Sequence, residues 1–379
     1  MFLALRELRY ARGRFGLMGV VVALIAFLIV MLSGLSSGLV NDGVSGLKRL
    51  PADVIVFDQG TKTDNAFSRS VVEPEQIAAW QQADGVKRAE PVGAGMVNAV
   101  TDAGVQIDLS LFALESDSFL APALSEGHAA NGLGEVVLSD TAKEQGLELG
   151  DVIVLDQSEL ELTVVGFTEG QSTFGHVDMA YLPLDTWRLI AAGQAKAGAP
   201  TQEQVDALAF DSASVVAVEL ADPDLGLAAI DARAETKAVT LREAFNSSPG
   251  YEAETLTLEM IQYFLYVIAA LVIGAFFTVW TIQRQHELAV LRAVGASGRY
   301  LLRDSLLQAG LLLVLFTGIG GAAGIGLGAL MPAGMPFDLE AGPIATAITI
   351  TIVLGLAGAM VAVLRILRIN PINALGGQR

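Results

Sequence analysis

A chain of 379 residues in which 53% are hydrophobic and only 17% charged, with a mean hydropathy of +0.53, has the composition of a membrane protein and room for a second, soluble body. There is no cysteine, which excludes disulfides, thiolate metal sites and a cysteine nucleophile. The net charge of −18 is unevenly placed: positions 41–258 hold 35 acidic and 12 basic residues, a net −23, so this block does not cross a bilayer and its surface repels nucleic acid.

In chain order, Arg6, Arg9, Arg12 and Arg14 precede an apolar run from Phe15 to Val40. The run exceeds the ~7–15 residues of a signal-peptide core and no A-x-A-like cleavage site follows, so residues 1–40 are expected to be a cytoplasmic segment and a retained first membrane helix. Residues 41–257 form an acidic α+β domain. Strands are predicted at Asp53–Phe57, Gly104–Leu114, Asp151–Asp156, Glu161–Phe167 and Ser214–Leu220, and helices at Glu75–Gln82, Thr141–Gln145, Asp185–Ile190 and Asp224–Glu235. Gly146 and Gly150 suggest a helix cap and a tight turn ahead of a strand, and Ala191–Pro200 a surface loop.

The remainder is three further spans. The second, 258–283, has no charge from Phe264 to Trp280. A basic loop, 284–303, carries Arg284, Arg292, Arg299 and Arg303 and so marks the inner surface. The third, 304–331, carries Gly320, Gly324 and Gly328 at four-residue spacing, a face for close packing against a neighbour. An external loop, 332–343, has two acids and no Lys or Arg. The fourth span, 344–365, leads to a cytoplasmic C-terminus, 366–379. The predicted fold is therefore an α-helical membrane protein of four spans, both termini inside, with one α+β extracytoplasmic domain inserted between spans one and two.

Four stretches carry a family likeness: LRELRYARGRFGLM at the start, GEVVLSDTAKEQGLELGDVIVL with TVVGF outside, RQHELAVLRAVGAS (Arg284 to Ser297), and RILRINPINAL (Arg365 to Leu375). Together they resemble the FtsX-like or MacB-type permeases of ABC transporters, over the whole chain. The resemblance implies a homodimer in the cell membrane, driven by a separate ATPase dimer that docks on the coupling segment. Its short length and single insertion look most like the haem-exporting branch, which implies haem as transported ligand and no intrinsic cofactor. Independently, no G-x-x-x-x-G-K-[ST] occurs, so a phosphate cradle must come from a partner chain. In the coupling segment Leu288, Leu291 and Val294 are spaced to enter a groove while Glu287 and Arg292 set register, and Arg284 and Gly295 complete the candidate ATPase-coupling set.

At the outer ends, Met31 lies ~24 Å up the first helix from Phe15 and Glu259 ~36 Å up the second from Gln283, at ~1.5 Å per residue. Glu259, Tyr263 and Tyr266 share a helix face at i, i+4, i+7, with Met260 beside them. An acid abutting a span turns toward a cavity or partner, or else sits in interfacial water above an aromatic belt. For haem, which needs apolar walls, ring contacts and axial ligands, Met31 and Glu259 are the candidate iron ligands. Met260 can replace Met31, and Tyr263 can stack or ligate. His286 falls in the inner loop, and His128 and His176 are expected to be surface residues. Two other functions fit the architecture: an FtsX-like transmitter that activates a cell-wall hydrolase, and an exporter of another amphiphile such as a peptide antibiotic or lipid. An enzyme does not fit, because no G-x-S-x-G, H-E-x-x-H or kinase set occurs.

Overall fold

A computed structural model describes residues 12–101, 103–284, 290–291, 294–332 and 335–367. In chain order the main elements are α1 (Arg12–Lys48), β1 (Val54–Asp58), α2 (Pro74–Gln81), β2 (Val86–Thr101), β3 (Gln106–Leu114), β4 (Leu124–Gly127), β5 (Glu135–Leu138), β6 (Val152–Leu155), β7 (Glu161–Thr168), β8 (Thr173–Phe174), β9 (Val177–Pro183), α3 (Leu184–Ala191), β10 (Val215–Leu220), α4 (Leu227–Ala234), β11 (Thr236–Thr240), α5 (Tyr251–Gln283), α6 (Gly298–Gly328) and α7 (Ala341–Leu367). They divide into an outer unit, Val40–Glu254, and a membrane unit made of the rest.

In the membrane unit α1, α5, α6 and α7 are long and apolar enough to cross a bilayer. The helices overrun the spans expected from hydropathy: α1 continues to Lys48 rather than stopping at 40, α5 starts at Tyr251 rather than 258, and α6 starts at Gly298 rather than 304. An apolar limit marks where lipid ends, whereas helical hydrogen bonding continues into polar turns until a cap or kink stops it. The buried seam takes Met18, Val22, Ile25 and Ile29 from α1, Tyr266, Ala269, Ile273, Phe277 and Trp280 from α5, and Leu312 and Leu313 from α6. The glycine face of α6 is closely packed, Gly320 and Gly324 against α1 and Gly328 against Phe337. A Cβ on Gly320 would overlap the Ala23 carbonyl, and one on Gly324 would press on Val30.

The outer unit is built on an eleven-stranded sheet. Six strands close on themselves in the order β2, β3, β9, β5, β7, β6 and back to β2. Closure leaves the ring without a terminal edge strand, although β2 is unpaired on one side between its partners β10 and β6, and Leu109, Leu111, Ile153, Leu162, Val164 and Leu182 are among the side chains of its core. An open arm, β11-β1-β10, extends from the first half of β2. α2 and α4 lie against the arm through Ile77, Trp80, Ile230 and Ala234.

The five expected strands all form. The longest one was missed: β2 contains Pro91, Gly93 and Gly95, which interrupt any alternation. The glycine is there for space, since a Cβ on Gly93 would enter the Trp187 ring. β9 was missed because it is buried from Asp178 to Pro183 and so does not alternate. Thr141–Gln145 lies in a 3₁₀ helix, Asp140–Gln145, closed by Gly146 at φ +89°, and the helix expected over Asp224–Glu235 is shorter, Leu227–Ala234.

Replacing Gly320 by Leu is expected to force α1 and α6 apart, lowering stability in detergent by roughly 1–3 kcal/mol, the usual cost of overpacking. Gly326, with open space around its Cα, is the control: Gly326→Leu should leave the thermal midpoint unchanged.

Candidate functional site

Within the membrane unit an apolar cavity of about 410 Å³ opens at the outer half of α1. Leu28, Met31, Leu32 and Leu35 come from α1 and Ile261 and Leu265 from α5; Met331, Met335, Pro336 and Phe337 come from the turn that links α6 to α7. Two glycines seat that turn. A Cβ on Gly34 would enter the Phe337 ring and one on Gly38 would collide with the Pro336 backbone, while the Asp338 N–H donates to the Gly34 carbonyl at 3.0 Å. Met331, Met335 and Phe337 were not anticipated as cavity residues. The signal was the pair Gly34 and Gly38 on α1, which mark where another chain segment approaches.

Of the residues singled out in the sequence, Met31 is half-buried in the cavity wall. Glu259, Met260 and Tyr263 are exposed and Tyr266 is buried, with the Gln262 side-chain amide donating to its hydroxyl at 3.2 Å; none of the four is among the lining residues. Ile261 and Leu265 line it, and Glu259 lies two residues before Ile261, about 200° around the helix at ~100° per residue. Glu259 and Tyr263 instead prolong the stripe of Tyr266, Ala269, Ile273, Phe277 and Trp280 outward, past the level at which that stripe becomes buried.

At the inner end of α5, the Arg284 guanidinium donates to the Gln308 amide oxygen at 3.1 Å and lies 4.8 Å above the Trp280 ring. The Gln308 amide in turn donates to Asp304 at 3.0 Å, and Gln308 is buried. This polar chain joins α5 to α6 at the root of the coupling segment. Glu287, Leu288 and Arg292 lie outside the described residues. Leu291 and Val294 are exposed, Val294 at 83%. The Ala296 N–H donates to the Leu291 carbonyl at 2.9 Å across Gly295 at φ +107°, the 6→1 bond of a glycine C-cap, where the left-handed backbone favours a residue without Cβ. Ser297 then caps α6 by accepting from the Tyr300 N–H at 3.2 Å. The run V-G-A-S is thus a helix stop followed at once by a helix start.

His176, expected at the surface, is half-buried. With Gly175 at φ +64° and itself at φ +63°, it forms the two-residue turn between β8 and β9, whose twist requires both residues left-handed. Its Nδ1 is 2.9 Å from Asp42 on α1, and its Nε2 is 2.9 Å from Glu254 on α5, all within the outer unit. Burial lowers the imidazole pKa, but the Asp42 hydrogen bond and the Glu254 charge outweigh it, so the pKa lies above the ordinary 6.5. Nearby Asp178 on β9 is pushed up, chiefly by burial.

Four helices able to cross a membrane, with an α+β domain between the first and second, fit the architecture of an ABC-transporter permease. The chain belongs to the FtsX-like, MacB-type permease family: residues 17–232 match the MacB-like periplasmic core domain and residues 260–371 the FtsX-like permease C-terminal model. It is 25% identical over 381 residues to the putative hemin transport system permease protein HrtB of Staphylococcus haemolyticus, across 100% of this chain and 99% of that one. An uncharacterized ABC transporter permease of Mycobacterium tuberculosis is 23% identical over 386 residues, at the same coverage. Among solved structures, the periplasmic region of MacB from Actinobacillus actinomycetemcomitans matches 51% of this chain and 90% of its own, at 11% identity and a TM-score of 0.36.

A pKa raised by folding means the His176 bridge contributes its full stability below pH 6.5 and loses it as pH rises through the folded-state value. A histidine NMR titration is expected to place that value above 6.5. His176→Gln should remove the corresponding pH dependence from outer-unit hydrogen exchange; an unchanged dependence would assign it to another group.

Proposed function

We propose that this chain is the permease subunit of an efflux transporter that exports haem from the membrane, working as a homodimer with both termini in the cytoplasm. The observation that carries the cargo is the cavity at Met31. A porphyrin needs apolar walls, a ring contact and a soft or anionic axial ligand, and this cavity offers leucines, Phe337 and three thioethers, Met31, Met331 and Met335. Its volume, about 410 Å³, falls within the ~300–1,000 Å³ of small-molecule sites. Full-length relatives named for hemin transport support the same cargo.

Met31 is the proposed iron ligand inside the cavity. Glu259 and Tyr263, on the outward extension of the α5 seam, are the proposed entry residues, Met260 the neighbour that can substitute, and Tyr266 the first buried rung beneath them. Glu259 remains the proposed second ligand if haem spans from the cavity to that stripe. The inner segment, Arg284, Glu287, Leu288, Leu291, Arg292, Val294 and Gly295, is the proposed ATPase contact. The exposed Leu291 and Val294 are apolar side chains that a groove on the partner would cover.

A haemin difference spectrum of the purified protein tests the cargo. A Soret shift is expected, with at least ~10-fold weaker binding, about 1.4 kcal/mol, in Met31→Ala and a smaller loss in Glu259→Ala. A spectrum unaltered by both substitutions would remove these residues from the site. Absence of any shift in the unmodified protein would leave another amphiphile as the cargo.

A further inference from the structure

The ring and the arm of the outer unit share β2, and between them its edge is open. Residues 86–92 pair with β10 and residues 99–101 with β6 on the same side, opposite β3. Between these two partners the even-numbered residues turn their backbone groups outward. Ala94 is satisfied: the Ser214 hydroxyl accepts from its N–H at 2.9 Å, and Trp187 donates to its carbonyl at 3.3 Å. The Asn98 carbonyl accepts from the Asp156 N–H at 3.0 Å. Met96, between them, has no hydrogen bond to its N–H or carbonyl on this edge among the described residues, and it is 42% exposed.

This gap opens into a cavity of about 500 Å³ whose wall mixes apolar and polar groups: Met96 and Ile190 on one hand, Asn98, Asp156, Gln157 and Ser158 on the other. Among the described residues Asp156 is its only charged lining residue. The C-terminal end of α3, at Ile190, adds the negative end of a helix. An exposed N–H and C=O pair on a strand edge is a template for one more residue of extended chain. Anionic ligands are repelled by a unit of net charge −23.

We infer that this notch binds an extended segment of a partner protein, one residue of which pairs with the Met96 backbone while a lysine or arginine side chain enters the cavity toward Asp156. The commitment to a basic partner rests on charge: a single carboxylate lines the cavity, within a strongly acidic unit. The commitment to a backbone strand rests on the unpaired Met96 groups. The site is independent of the cavity at Met31, and success or failure here leaves the cargo open.

The test uses the full chain in lipid nanodiscs with three synthetic heptapeptides: alternating valine and lysine, alternating valine and glutamate, and the lysine peptide methylated on alternate backbone nitrogens. The lysine peptide is expected to bind and to slow peroxide oxidation of Met96 at least ~5-fold by mass spectrometry, with buried Met179 as internal reference. Backbone methylation and Asp156→Asn, at an exposed position, should each weaken binding ~10-fold or more, as expected when a paired hydrogen bond or charge is lost. Equal binding of the methylated peptide would show attraction to the acidic surface alone and overturn the proposal. Binding of the glutamate peptide, or unprotected Met96 at saturation, would do the same.

Discussion

Helices gain nothing in lipid by burying one apolar surface against another, so a membrane unit depends on how closely backbones can approach. Here that approach is between α6 and α1, where Gly320 meets the Ala23 carbonyl and Gly324 meets Val30. The same device recurs higher on α1, where Gly34 and Gly38 admit Phe337 and Pro336. The two contacts differ in consequence. The lower one is flush and holds the bundle, whereas the upper one is bounded by long, unbranched methionine side chains and leaves a cavity. Methionine adapts to irregular gaps, so a cavity of this lining suits the proposed cargo.

The inner end of the bundle is organised by polar groups. Arg284, Gln308 and Asp304 form a chain between α5 and α6, and the cation rests on Trp280. A buried glutamine that both donates and accepts fixes the relative position of the two helices on either side of the coupling segment. Force applied at the proposed ATPase contact would therefore act on α5 and α6 together. The outer unit uses another principle. Its ring closes with β2 open only between β10 and β6, and the acidic excess keeps the surface soluble.

Much of this was legible in the sequence because its signals are long or chemically sharp. Four apolar runs separated by basic and acidic loops fix the span count, and the Gly320, Gly324, Gly328 spacing announces a packing face before its partner is known. Residues 284–303 are legible as a basic inner loop, but V-G-A-S within them is not legible as a cap followed by a start. What stayed hidden depends on contacts distant in sequence. Gly93 breaks the strand pattern of β2 because Trp187, some ninety positions on, occupies the space a Cβ would need. Phe337 and Met335 read as parts of a plain external loop, and only their return onto α1 makes them cavity walls. His176 looked like a surface residue because neither Asp42 nor Glu254 is near it in the chain. Glu259 and Met31 pair by height and by ligand chemistry, and neither specifies which way a helix faces.

The central claim is that cargo at the outer half of α1 and an ATPase at the inner end of α5 are coupled through one chain. Co-reconstituting this permease with its ATPase in proteoliposomes and measuring ATP hydrolysis against haemin concentration tests it directly. The account predicts saturable, haemin-dependent stimulation that disappears when Gln308→Leu uncouples α5 from α6, with haemin binding retained. Hydrolysis indifferent to haemin, or stimulation that persists in Gln308→Leu, would contradict it.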